Sequence, residues 1–183
     1  MTKLLLLIAT MILFFSCIRE NQHNDTITKE SLTKEDRIKD EIHTIDKNLN
    51  NIDISELKGL AIHYRSVGLE PNTLGYFVSN VDINCSPFIV IYNTSLKRIV
   101  KIDNSLVIKF GCNDYLADTT ITKAFYKYLK LDVCVLKIDS VGNIYINKNN
   151  QDIPDMLKIY NKSNLPNDIN EFFKFEGNWY VRK

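Results

Sequence analysis

The chain has 183 residues, with 23 Lys and Arg against 22 Asp and Glu and a formal net charge of +1. That balance argues against a nucleic-acid binder, which carries a concentrated basic surface. Gly and Pro are scarce, and neither a long low-complexity tract nor a repeat at a fixed period is present, so the chain reads as one domain with a sizeable core.

Lys3 supplies a small positive n-region, and Leu4 to Phe15 form an apolar run broken only by Thr10. Ser16 and Cys17 follow, and the composition turns polar at once with Ile18, Arg19, Glu20, Asn21 and Gln22. This is the pattern of a secretory signal, too short to span a bilayer, which takes about 20 residues. Ser16-Cys17 after such a run resembles the cleavage box of bacterial lipoproteins. Phe14 stands where Leu is commoner, as in Bacteroidota-like members with paired aromatics. The resemblance covers residues 1–17. It implies cleavage before Cys17, acylation of its thiol, and a bacterial cell-envelope protein that meets the membrane through its acyl chains. It leaves open which membrane and which face. Two or more chains anchor stably where one holds only marginally. The alternative is an ordinary signal peptide whose Cys17 lies near the cut. Cleavage removes Lys3 and leaves 22 bases against 22 acids.

The expected organisation is a signal peptide over 1–16, a lipidated N-terminus and polar tether over 17–30, and a single domain over 31–183. Ser31 to Asn50 reads as a helix, with Ile38, Ile42, Ile45 and Leu49 on one face. Thr33 and Asp36 have the spacing of a capping box. His43 lies off the stripe and reads as a solvated helix residue. Ser55 begins a short turn containing Leu57. Alternation from Leu60 and again from Leu74 predicts two strands. Phe88–Tyr92, Arg98–Ile102 and Leu106–Phe110 then predict an antiparallel meander.

Thr119 to Leu131 reads as a helix with Ile121, Phe125 and Tyr128 inward and Asp118 or Thr119 as its cap. Residues 132–147 read as a hairpin around Gly142. Asp152 to Tyr160 has a short helical pattern, with Pro154 tolerable in its first turn. Glu171–Phe175 and Asn178–Val181 form a closing hairpin with Trp179 in its core or near its rim. The expected class is α+β: a largely antiparallel sheet with an N-terminal helix, a central helix and a C-terminal β-hairpin.

Export permits disulfides. Lipidation of Cys17 leaves Cys85, Cys112 and Cys134. A meander puts Cys85 and Cys112 at opposite ends of a strand about 17 Å long, against about 5.5 Å between bridged Cα atoms. The expectation is therefore three buried or half-buried free thiols, with a Cys112–Cys134 bridge as the next choice. A thiol enzyme needs a base. Of His23, His43 and His63, only His63 with Cys112 makes a pair worth naming. No metal motif is present: Asp139, Asn143, Asn147 and Asn149 lack the spacing of a calcium loop. No catalytic pair, cofactor motif or phosphate loop stands out.

The nine Tyr and single Trp exceed what one core needs to bury completely, which allows a recognition face. The leading functional expectation is a non-catalytic interaction or structural module of the envelope, with an envelope protein or glycan as partner. A small-ligand domain is the alternative. The closing Gly177–Tyr180 strand resembles the end of NTF2-like domains, which implies a cone-shaped pocket. A thiol enzyme using Cys112 and His63 is the third reading.

Overall fold

The computed structural model describes residues 33–113, 115–149 and 153–183. The signal segment, Cys17, the tether and His23 lie outside the described residues. Helix α1 (Lys34–Asn50) begins at a capping box: the Thr33 hydroxyl accepts the Asp36 N–H at 3.2 Å, and the Asp36 carboxylate accepts the Thr33 N–H at 3.1 Å. Its stripe of Ile42, Ile45 and Leu49 is buried, as the spacing predicts. A single 3-10 turn (Ser55–Leu57) then buries Leu57 completely.

The strands are β1 (Leu60–Val67), β2 (Thr73–Asn80), β3 (Phe88–Asn93), β4 (Arg98–Asp103), β5 (Val135–Ile138), β6 (Ile144–Asn147), β7 (Met156–Lys158), β8 (Phe172–Glu176) and β9 (Trp179–Arg182). Helices α2 (Ser105–Lys109) and α3 (Asp118–Tyr128) fall between β4 and β5. All nine strands join one sheet in the order β4-β3-β2-β1-β5-β6-β7-β9-β8. Each pairing is antiparallel. The fold is α+β, and consecutive strands are neighbours except at two places: α2 and α3 separate β4 from β5, and β9 lies between β7 and β8.

The main core lies on the face covered by α1 and α3, where Ile45, Ile62, Val78, Val90, Phe125, Leu136 and Ile146 meet. A smaller cluster of Tyr145, Leu157, Ile159 and Phe172 covers the opposite face near β6–β9. Among the described residues, no helix is long and apolar enough to cross a membrane.

Two segments depart from the expected elements. Leu106–Phe110 is not a third meander strand; it is largely helix α2. The Asp103 carboxylate accepts the Ser105 N–H at 2.8 Å and the Lys101 ammonium at 2.6 Å, and turns the chain into a helical start. Those bonds hold the Asp103 carboxyl down at about 2. Within α2 only Val107 is buried, while Ile108 and Phe110 remain exposed, so the β-branched run does not pack as a strand. Asp152–Tyr160 holds strand β7 in place of the expected helix. Met156 enters the main core and Leu157 the opposite cluster, a period of two. A smaller difference concerns α3, which starts after Ala117 with no side-chain cap. Asp118 instead supplies negative charge in the first turn.

The α2 turn also explains a disulfide. Cys85 and Cys112 are bridged, with their Cα atoms 6.1 Å apart. Five helical residues advance about 7.5 Å, less than half of what five strand residues would. The chain therefore folds back and returns Cys112 to the start of β3. None of the cysteines among the described residues is free, so the expectation of three free thiols is overturned.

Candidate functional site

The Cys112–His63 pairing loses its nucleophile, because the Cys112 sulfur is bonded to Cys85. His63 sits within β1, opposite Phe77 of β2 and Val135 of β5. Cys134 is buried just before β5, and its carbonyl accepts the Tyr128 hydroxyl at 3.1 Å. Asp139 organises the β5–β6 turn: its carboxylate accepts the Gly142 and Asn143 N–H groups at 2.7 and 2.8 Å and the Asn143 amide at 2.9 Å. The oxygens of that turn hold the backbone. Among the described residues, no group of three or more His, Cys, Asp and Glu has the arrangement to hold a metal.

The aromatic residues concentrate inward. Tyr76, Tyr92, Tyr128, Tyr145 and Trp179 are buried, and Phe125 packs against Tyr76 at 4.8 Å and Tyr92 at 5.6 Å between ring centres. Tyr126 and Tyr160 are the tyrosines with large exposure among the described residues. The surplus read as a recognition face is mostly core, because the inner face of a nine-stranded sheet has room for it.

A different feature emerges where α1 crosses the end of the sheet. The alternation of β9 sends Trp179 and Val181 toward the α1 face and sets Tyr180 against the opposite cluster. Gly177, with φ of +57°, permits the tight turn from β8 into β9. Asp36, Lys39, Asp40, His43 and Asp46 recur at helical spacing along α1 and form one wall. Glu176, Gly177, Asn178, Trp179 and Lys158 form the other. Between them lies an open cleft of about 740 Å³, inside the range of roughly 300–1,000 Å³ typical of ligand sites.

Two ion pairs tie the walls together. Lys39 meets Glu176 at 3.8 Å, and the Lys158 ammonium donates to the Asp46 carboxylate. Lys158 also lies 5.4 Å from the Trp179 ring centre, a cation–π distance. Trp179 is only 3% exposed, yet its indole Nε1 is buried without a hydrogen-bond partner. Leaving such a donor unpaired costs about 1–3 kcal/mol. The side chains of Asp40 and His43 make no hydrogen bond or ion pair among the described residues. The cleft therefore offers one carboxylate acceptor and one imidazole, while the indole Nε1 lies buried away from its open space.

Neither His43 nor Trp179 was legible as part of a site. His43 reads as a wet helix position, and Trp179 as core. Nothing in the spacing links a helix near residue 40 to a turn near residue 177.

Beside this region, Asp155 faces Glu41 of α1 and Arg182 of β9. Burial, with a smaller push from Glu41, raises its carboxyl to about 6. Its backbone is fixed, since the Asp155 N–H donates to Ile146 and its carbonyl accepts from Arg182. One carboxylate oxygen is buried and unpartnered. The folded state therefore binds this proton more tightly than the unfolded chain. The contribution is fully present below about pH 4 and is lost as pH rises through about 6. Asp155→Asn is expected to stabilise the protein at pH 7.5 by on the order of 1 kcal/mol after discounting for solvent screening. At pH 4 the gain should vanish. Urea titrations at the two pH values check the sign, and a larger gain at pH 4 would contradict it.

No protein-family model, curated protein or solved structure matches the chain.

Proposed function

We propose that this is an exported, lipid-anchored protein of the bacterial cell envelope whose α+β domain acts by binding. The observation that carries the export reading is the Cys85–Cys112 disulfide. Such bonds persist in oxidising compartments and are rare in the cytosol. It supports, independently of residues 1–17, the compartment that the signal pattern implies. The anchor itself rests on the Ser16-Cys17 box and the apolar run before it.

Binding is favoured over thiol catalysis because the Cys112 sulfur is committed to the bridge. The α1–β9 cleft favours a small-ligand reading over a purely structural one, since its volume of about 740 Å³ is that of a ligand site.

The anchor is tested by growing cells with labelled palmitate. The wild-type chain is expected to take up label and partition with membranes. Cys17→Ser is expected to lose the label entirely. Full labelling of that variant would refute acylation at Cys17.

A further inference from the structure

We propose that the apolar knuckle around the Cys85–Cys112 bridge docks on a phospholipid bilayer surface. The inference rests on reading the chain as lipid-anchored, and it names the end of the domain that turns toward the membrane.

Two turns build the knuckle. Helix α2 is apolar on more than one side: Val107 is fully buried, whereas Ile108 is 61% exposed and Phe110, just past its end, is 65% exposed. Ile83 is exposed on the turn between β2 and β3. Cys85 follows Ile83 by two residues and Cys112 follows Phe110 by two, so the bridge pins these turns side by side. Their backbones are held as well. The Cys85 N–H donates to the Ile83 carbonyl at 2.9 Å, and the Cys112 N–H to the Val107 carbonyl at 3.1 Å. Turns ordinarily carry Gly, Asn, Asp or Ser. Large apolar side chains gathered on fixed turns mark a contact surface.

Size and shape select the occupant. Three side chains fall short of the roughly 800 Å² that each partner of a stable protein interface buries, which argues against a second copy of the chain. They do not line the α1–β9 cleft. A bilayer requires no matching shape and takes projecting apolar side chains about 5–10 Å into the boundary of headgroups and acyl chains. The Lys109 ammonium, 5.7 Å from the Phe110 ring centre, can stay among the headgroups while the ring enters. Lys109 is offset by Asp82, and Lys101 pairs with Asp103, so apolar insertion drives the contact and net charge does not.

The path of the chain agrees. Phe88 pairs with Val78, and Asn80, Leu60, Ile138, Ile144, Lys158 and Trp179 pair in succession. The knuckle therefore shares one end of the sheet with the β8–β9 turn. Helix α1 begins beside that turn, where Lys39 meets Glu176 at 3.8 Å, so the chain enters the domain at the knuckle's end. From β3 to β9 is six strand spacings, about 29 Å. The 15 residues between Cys17 and Thr33 can reach about 50 Å. An anchored chain can thus set its knuckle on its own bilayer, and tethering makes that docking intramolecular, so a small apolar contact suffices.

The experiment places the mature acylated chain on phosphatidylcholine vesicles containing lipid brominated near the headgroup end of its acyl chains, which quenches tryptophan on contact. Buried Trp179, the only tryptophan of the wild-type chain, sets the background. Phe110→Trp is expected to emit at shorter wavelength on vesicles and to lose emission as the brominated fraction rises. Leu69→Trp, at a fully exposed position on the β1–β2 turn at the opposite end of the sheet, should show the wild-type background. The Phe110→Trp signal should persist in about 0.5 M salt, where the screening length falls to a few ångströms. The proposal fails if Phe110→Trp is quenched no more than wild type, if Leu69→Trp is quenched equally, or if salt abolishes the effect. A palmitate-labelled chain without Phe110→Trp quenching overturns the docking alone; an unlabelled chain that stays off the vesicles overturns the anchor and the docking with it.

Discussion

Replacing Cys85 and Cys112 together by Ser is expected to lower the unfolding free energy by about 3.5 kcal/mol. The bridge joins residues 27 apart in sequence. Cross-linking a loop of that length removes denatured-chain entropy worth this amount in the chain-entropy account. For a domain of about 150 residues, each kcal/mol shifts the melting temperature by roughly 2–4 °C, so the drop should be near 10 °C. Reducing the wild-type protein with dithiothreitol should lower the melting temperature at least as much, since Cys134 is also oxidised. Identical melting curves with and without reductant would show that the bridge contributes nothing.

The seam around the bridge has other supports, which sets what the variant should look like. Tyr115 packs on Phe88 at 5.0 Å, and its hydroxyl donates to the Ser86 carbonyl at 2.9 Å. Val107 is fully buried beneath α2. The double Ser variant should therefore keep its far-ultraviolet spectrum at 25 °C and lose stability without losing fold. Protein made in a reducing cytosol should be destabilised at least as much as this variant, and the difference between preparations would itself report on the compartment for which the chain is built.

The frame of this fold could be read from residue patterns wherever one period acted alone. The stripe Ile38, Ile42, Ile45 and Leu49 matches only a helix, and Thr33 with Asp36 marks where it starts. The alternation from Leu60 and from Leu74, and the hairpin around Gly142, lead directly to β1, β2, β5 and β6. Failure came where a run was short and apolar on adjacent positions. Leu106–Phe110 fits strand and helix equally, and the deciding bond from Ser105 to Asp103 is invisible without coordinates. In Met156-Leu157 the pattern reads as a helical pair, but the sheet buries both of its faces there, one residue on each. The Cys85–Cys112 bridge was hidden for the same reason, since an extended Leu106–Phe110 would hold the two cysteines far apart. The cleft was beyond reach for another reason. It is made by strand order, which brings β9 beside β7 and both beneath α1, and periodicity carries no information about order.

Phe125→Ala is expected to cost about 4 kcal/mol, as large an effect as any single core truncation here should have. Phe125 projects from α3 and is 0% exposed. Its ring meets Tyr76 edge-on at 4.8 Å, Tyr92 at 5.6 Å and Tyr128 at 6.0 Å. It is thus the contact through which α3 holds β2 and β3. The cost depends on whether neighbours can collapse into the gap. Tyr128 is poorly placed to do so, because its hydroxyl donates to the carbonyls of Val133 at 2.6 Å and Cys134 at 3.1 Å. Moving the ring would strand a buried hydroxyl, at about 1–3 kcal/mol. The cavity should therefore persist and place the cost in the upper part of the range of about 3–5 kcal/mol. Phe125→Leu retains most of the volume and should cost about 1.5 kcal/mol. Tyr126→Ala, one residue along the same helix, is the control. Tyr126 is 38% exposed and its hydroxyl accepts only a long 3.3 Å bond from Ile99, so its cost should stay below about 1 kcal/mol. Urea titrations of the three variants check the order. A Phe125→Ala cost below that of Tyr126→Ala would mean that α3 is not fastened to the sheet through this ring.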